Sequence, residues 1–415
     1  MNYEALGEKS ILLLGKTRAL NSDEFDTLLK LHKITRVCSY SEDVALIIEG
    51  RMMNPYEQSE SARLYEESNT PIIELAPFEE WLCRSIEPNR LLMSLKLSRN
   101  QERLVNFLQN PYITDELFFK LLKLYDWRCE GLFDNDTNRD VTASIIGRFY
   151  ADLDRNHNVQ YAMSGLAHLI ERYGNRELIA AIAELSPIAN EIKNPKDRSL
   201  NGVLDAIALH PDTQESILRL LLQERAALMA HREPLALERE LLGLNRDDVN
   251  EILAQNHSLS PHGITQLESD YPHLIASKIL LNEDRFGWLL ESYAVNLAAN
   301  PSLTPTMQEK LFALGEDTVL KALASNSATE AKILDRLFES GQFSAFLALN
   351  PSLSSDKLEL LASDGDAEVL SALSSNTSTP IETLYQLSLD RRFERAVKTN
   401  PAFGKHIQTH NIGWF

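Results

Sequence analysis

From about residue 8 to residue 90 the apolar positions come in short runs set between polar, helix-forming stretches. Lys9 to Gly15, Thr35 to Ser41 and Val44 to Gly50 read as strands, and so does Thr70 to Leu75. The third of these is too apolar to be anything but buried. Asp23 to His32, Ser59 to Ser68 and Pro77 to Ile86 carry helical spacing, the first opened by an acidic turn. The order β-α-β-β-α-β-α predicts a small sheet covered by helices. Beyond it the strand signal stops. Glu102 to Gln109, Val141 to Leu153, Ala162 to Gly174, Glu177 to Leu185, Ile217 to Ala230 and Leu235 to Gly243 all read as helix, with Asn194 to Gly202 as the most loop-like interruption.

The last third repeats itself. Aligned on asparagine, the units Asn300 to Asn326 and Asn350 to Asn376 both span 26 residues, with leucine at offsets 3, 11, 20 and 23 and valine at offset 19. Asn256 to Asn282 follows with Leu259, Leu267, Ile275 and Ile279. Two units of 24 residues, Asn326 to Asn350 and Asn376 to Asn400, alternate with these and carry Phe343 and Phe393 at offset 17. Asn282 to Asn300 spans only 18, which predicts a trimmed turn or helix. Asn ends one helix and the following Pro cannot continue it. Ser260, Thr304 and Ser354 sit where they can cap the next helix, with Pro261 or Pro305 at its first position. Offsets 8 and 11 share a helix face, Gly315 to Asp317 and Asp364 to Asp366 form turns, and offsets 19, 20 and 23 make a second stripe. A two-helix unit of this size cannot bury both stripes alone, so it must stack on its neighbours as a solenoid.

On Asn300-Pro301, Asn350-Pro351 and Asn400-Pro401 the repeat resembles the variant leucine-rich repeat family, over roughly residues 256–405. The resemblance implies paired short and long helices. Asn110 to Leu122 and His210 to Leu222 echo it, with Leu121 and Leu221 at offset 11. One member of that family holds an iron–sulfur cluster on an N-terminal cysteine motif. Here Cys38, Cys83 and Cys129 lie 45 and 46 residues apart, so no cluster is carried over.

The N-terminal segment resembles the BRCT domain, a phosphopeptide and protein-interaction module. Trp81 in the last helix, Cys83 near it, Gly50 after the third strand and Pro71-Ile72-Ile73 carry the resemblance. Phosphate-binding members place Ser or Thr beside a glycine after the first strand and Lys at the start of the second helix. This chain has Leu14 before Gly15 and Glu60 at about the lysine position, so phosphate reading is not carried over.

Charge narrows the partners. The 415 residues carry a formal charge of −19, and no segment is a basic module in an acidic chain. A phosphate backbone and an anionic lipid surface would both be repelled on average. No apolar stretch approaches a membrane span, and the Ile11 to Leu14 run is too short for a signal-peptide core. Three scattered cysteines suit a reducing compartment, and the expected location is cytoplasmic.

Candidate sites fail on spacing. Gly15-Lys16-Thr17 follows a strand, but a P-loop would need glycine where Ser10 stands. Asp134, Asp136 and Asn138 imitate a calcium loop, yet Arg139 and Ile145 occupy the positions of the turn glycine and the bidentate Glu. Asp154 to Asn158 fails in the same way at Val159 and Gly165. His406 and His410 are spaced for one helical face without a following Glu or a third ligand. Trp414 and Phe415 read as a seal on the last repeat, and Asp247-Asp248 and Glu66-Glu67 as exposed helix charges. The expectation is an α+β, BRCT-like domain at 1–92, helical connecting repeats at 93–255 and variant leucine-rich-type repeats at 256–415. Functionally it is a protein-binding scaffold with no catalytic, metal or cofactor residues and protein partners. A nucleic-acid maintenance factor and an enzyme with its site in 97–255 stand as alternatives.

Overall fold

The computed structural model describes residues 2–151 and 157–410. The chain forms two compact units, Met1–Leu221 and Leu222–Phe415.

The first unit opens with four strands and three helices in the order the apolar runs predict: β1 (Ser10–Leu14), α1 (Ser22–Leu31), β2 (Thr35–Val37), β3 (Val44–Glu49), α2 (Pro55–Glu67), β4 (Ile72–Glu74) and α3 (Leu75–Cys83). All pairings are parallel, in the spatial order β2-β1-β3-β4. Side chains alternate across the sheet. Leu12, Leu14, Val44 and Ile47 pack with Leu64 of α2. Ile11, Leu46 and Ile48 are fully buried, and α1 and α3 meet through Phe25 and Phe78, whose rings lie 6.1 Å apart. Helix α2 starts four residues before the expected Ser59, because Asn54 and Glu57 form a reciprocal capping box ahead of Pro55 at its first turn. Trp81 is half-buried against Tyr3, His32 and Phe78.

Among the described residues of this unit eight α-helices follow: α4 (Pro88–Ser98), α5 (Gln101–Leu108), α6 (Asp115–Leu122), α7 (Asp136–Phe149), α8 (Met163–Tyr173), α9 (Arg176–Ala183), α10 (Ser186–Lys193) and α11 (Asn201–Leu209). They are tied to the sheet by polar contacts as well as packing. Arg103 of α5 pairs with Glu24 of α1, and Asn110 donates to Cys83 Sγ at 3.3 Å. The chain leaves the unit within α12 (Glu215–Met229).

The second unit continues with α13 (Glu238–Gly243), α14 (Asp247–Leu253), α15 (Pro261–Leu267), α16 (Pro272–Lys278), α17 (Glu283–Ala298), α18 (Pro305–Ala313) and α19 (Asp317–Ser325). Then come α20 (Ala331–Glu339), α21 (Ser344–Leu349), α22 (Ser355–Asp364), α23 (Ala367–Ser375), α24 (Ile381–Ser388), α25 (Glu394–Thr399) and α26 (Pro401–Thr409). Alternate helices are neighbours: α17 packs on α19, α19 on α21, α21 on α23 and α23 on α25.

A ladder of buried asparagines sets this register. Asn326 Nδ2 donates to the main-chain oxygens of Ala298 and Asn300, at 2.9 and 2.8 Å. Asn350 repeats the pair on Ala324 and Asn326, Asn376 on Ala348 and Asn350, and Asn400 on Ser374 and Asn376. Each Oδ1 accepts the N–H two residues on: Ser302, Ala328, Ser352, Ser378 and Ala402. The helix-ending carbonyls of one unit are thus satisfied by the amide of the next. In the 24-residue units a Thr replaces Leu at offset 3, and Thr329 and Thr379 donate to the carbonyls of Leu323 and Leu373. Offset 8 also breaks the apolar rule once. Gln308 is buried, donates to Leu303 and Ala328 carbonyls and accepts the Glu330 N–H, joining successive units.

Three expectations change in detail. Asn282 is not a rung; it is exposed and caps α17 through the Arg285 N–H. Asn300 instead donates to Ala276 and Ile279, so the preceding unit ends near Lys278. What is trimmed between Asn282 and Asn300 is the turn, not a helix. Helix α17 holds two helical stretches joined across Tyr293 (φ −130°, ψ 29°), a conformation close to that of Phe343 (φ −117°, ψ 29°), which starts α21. Of the predicted caps, Ser260 and Thr304 accept the N–H of Gly263 and Met307, whereas Ser354 makes no side-chain cap bond.

Candidate functional site

The carboxyl end of β1 gathers the most chemistry. Gly15 adopts φ +84°, where a Cβ would lie 2.6 Å from the Arg51 carbonyl oxygen, and Gly50 faces the Lys16 carbonyl as closely. The glycines let the ends of β1 and β3 close into the Lys16–Arg51 bridge, with main-chain bonds of 2.7 and 2.8 Å. The Gly15 N–H then points to Glu57 Oε1, at 3.0 Å.

The following turn is organised from beneath by Glu79 of α3, which is fully buried. Its carboxylate accepts the N–H groups of Arg18, Ala19 and Leu20, at 3.0 to 3.2 Å. These are the donors that an external anion would need in a phosphate-binding loop. The loop of Gly15, Lys16 and Thr17 therefore ends a strand and carries its own anions in Glu57 and Glu79. The hydrogen bonding of the buried carboxylate is met locally, which lowers the cost of burying it.

Above this turn lies an open cleft of about 500 Å³, lined among others by Lys16, Thr17, Arg18, Ser22 and Arg36, with Asn106 and Gln109 of α5. Arg36 pairs with Asp26 at 3.0 Å; no described residue forms an ion pair with Lys16 or Arg18. No carboxylate lines the cleft.

The other candidate positions are spent on structure. Asp134 accepts the Gly131 N–H, and Asn135 caps α7. Asp136 pairs with Arg139, and buried Asn138 bonds Tyr125 and Gly131, so the oxygens do not converge. Asp154, Arg155 and Asn156 lie outside the described residues, as do Gly413, Trp414 and Phe415. The rings of His406 and His410 lie 4.3 Å apart and tilted by 31°, with Tyr385 against the first. Among the described residues no group of three or more His, Cys, Asp or Glu could hold a metal ion. No helix among them is long and apolar enough to cross a membrane. Asp248 pairs with Arg246, and Glu67 with Arg63. Cys38 and Cys129 are exposed; Cys83 is buried, and desolvation pushes its thiol up to about 11, partly offset by the bond from Asn110.

The repeat surface differs from one helix row to the other. On the row of α15, the first stretch of α17, α18, α20 and α22 the cations are used between units. Arg285 pairs with Glu268, Lys310 with Glu283, Arg336 with Glu309 and Lys357 with Asp335. Arg336 also lies 3.9 Å over the Phe312 ring. On the row of the second stretch of α17, α19 and α21, Val295, Phe346 and Leu349 stand exposed, and Lys321 lies 6.0 Å from the Phe346 ring.

Two of these features escaped the sequence reading. Glu79 stood one residue past Phe78 on the apolar stripe of Leu75 and Leu82, a buried position that should have marked it. Arg36 and Asn106 carried no such signal. Comparison with known protein families, with curated proteins and with solved structures finds no match.

Proposed function

We propose that this protein is a non-enzymatic interaction scaffold of the cytoplasm. In this reading a BRCT-like module leads into a solenoid of variant leucine-rich-type repeats, whose outward side chains hold protein partners. The asparagine ladder carries the proposal. It meets the helix-end carbonyls from inside, so the exposed positions on the second helix of each unit are not needed for those bonds between units. Phe346 and Leu349 use that freedom to expose apolar surface, with Lys321 beside them. Exposed apolar groups grouped in this way favour a protein partner over a polyanion.

The test is affinity retrieval with the full chain, set against the double variant Phe346→Asp and Leu349→Asp. Specific partners held by the parent and lost by the variant, with an unchanged melting temperature, support the reading. Equal retrieval by both overturns the assignment of this face.

A further inference from the structure

We infer that the outer face of α4 docks a short acidic amphipathic segment of a partner protein, one that carries two apolar side chains a turn apart. Helix α4 is apolar on opposite sides. Leu91 and Leu95 are buried, whereas Met93 and Leu97, one turn apart on the solvent side, are 58% and 78% exposed. A surface helix ordinarily turns charge to water, not a second apolar pair. Methionine beside leucine suits a surface that is covered in use, because the thioether chain adapts to what meets it.

The charge around this pair is of one sign. From Pro88 to Gln101 the chain holds Arg90, Lys96 and Arg99 and no acid, in a molecule of net charge −19. Arg84 and Arg103, on either side, are paired with Glu80 and Glu24, whereas no described residue forms an ion pair with Arg90, Lys96 or Arg99. The flanking acids serve helix ends: Glu87 caps α4 by accepting the N–H groups of Asn89 and Arg90, and Glu102 stands in the first turn of α5. Arg90 lies in the first turn of α4, where the helix dipole disfavours a cation, so the stability of α4 does not explain its place. Carboxylates on a docked segment would complement all three cations.

The face is built before a partner arrives. Arg103 of α5 donates to Ser94 Oγ at 2.7 Å, and α4 packs on α6, so the helix is held in place. An open depression lined among others by Arg90, Met93, Ser94 and Leu97 runs along it. Preformed geometry lowers the ordering cost of binding. The 11 residues of α4 span about 16 Å, room for a segment of three turns. That is far less than the roughly 1,200–2,000 Å² a stable interface between globular proteins buries, so a second copy of this acidic chain fits poorly. An anionic lipid surface would meet the net negative charge of the whole molecule, whereas a short segment meets only the local cations. The surface lies on the first unit and does not depend on the repeat face.

Panning a displayed library of random peptides on the immobilised full chain, with counter-selection on the double variant Met93→Ser and Leu97→Ser, tests this. Peptides kept by the parent and rejected by the variant should be net negative, with apolar residues three or four positions apart. A synthetic copy of the strongest should bind the parent about tenfold or more tighter than it binds Arg90→Glu or Lys96→Glu, and should weaken as salt is raised. It should bind the double variant Phe346→Asp and Leu349→Asp as it binds the parent. All four α4 positions are exposed, so these variants should melt with the parent. Selection of neutral or basic peptides, no peptide that separates parent from variant, or binding indifferent to both charge reversals would overturn the assignment. So would flotation with phosphatidylserine vesicles, or a concentration-dependent dimer, that the Met93→Ser and Leu97→Ser change abolishes; these would give the face to a membrane or to a second copy.

Discussion

The sheet-bearing module and the asparagine repeats solve opposite versions of one problem. After β1 the chain turns so that three N–H groups point inward, and a buried acceptor, Glu79, gathers them. In the repeats the second helix of each unit ends on inward-pointing carbonyls, and a buried donor, the asparagine amide, gathers those. A carboxylate can only accept, so it could not supply the donors of a rung, whereas an amide could offer the turn after β1 one acceptor oxygen in place of two. The first solution is made once and is charged. The second is neutral and is made again at every unit, which spares the repeats the desolvation of a row of buried ions.

The largest break in this comparison should come from Glu79→Ala. It leaves three turn N–H groups without their acceptor, and about 3–5 kcal/mol of stability should be lost in chemical denaturation. Glu79→Gln keeps one acceptor oxygen and should lose less. Asn350→Ala removes two donors and one acceptor from a buried rung and should cost about 2–4 kcal/mol. Asn282→Ala removes only an exposed helix cap and should cost about 1 kcal/mol. Equal losses at Asn350 and Asn282 would deny the ladder its role. Smaller again, Lys310→Ala should shift stability by about 0.5 kcal/mol or less, since its pair with Glu283 is exposed.

A pH experiment sharpens the same contrast at Cys83. Burial raises its thiol from an ordinary 9.0 to about 11, so the folded state favours the protonated form. The contribution is whole below pH 9.0 and is lost as the pH rises through about 11. Denaturation midpoints should fall across that window, and less so in Cys83→Ala. At neutral pH a thiol reagent should label Cys38 and Cys129 well before Cys83.

The repeats were legible because the same residue types recur at fixed offsets, and recurrence separates a structural asparagine from an incidental one. Asn282 shows the limit. It stands 26 residues after Asn256 and looks like a rung, but only three-dimensional register shows that Asn300 reaches past it to Ile279. The two echoes hold more than their leucines suggested. Asn110 is buried and accepts the Tyr112 N–H as a rung does, but donates to a thiol. At His210 the ring Nδ1 accepts the Asp212 N–H, and Thr213 donates to Ile207 as Thr329 does to Leu323. The chain order of strands and helices followed from the apolar runs; the spatial order of the strands did not. The cleft did not, because Lys16, Arg36 and Asn106 lie far apart in sequence and meet only through parallel pairing and the packing of α5.

The alternation of 26 and 24 residues also fixes how the array can change length. From Asn326 to Asn400 each rung takes a pair of carbonyls at the end of the preceding unit in the same geometry. Removing residues 326–375 as a block would bring Asn376 to the place of Asn326, with its Thr at offset 3 and a 24-residue unit ahead of it. Removing one unit alone would set two of the same kind side by side and mismatch the Thr and Leu layers. Growth and loss by whole pairs is therefore the neutral step for this molecule, a vernier whose smallest silent move is fifty residues.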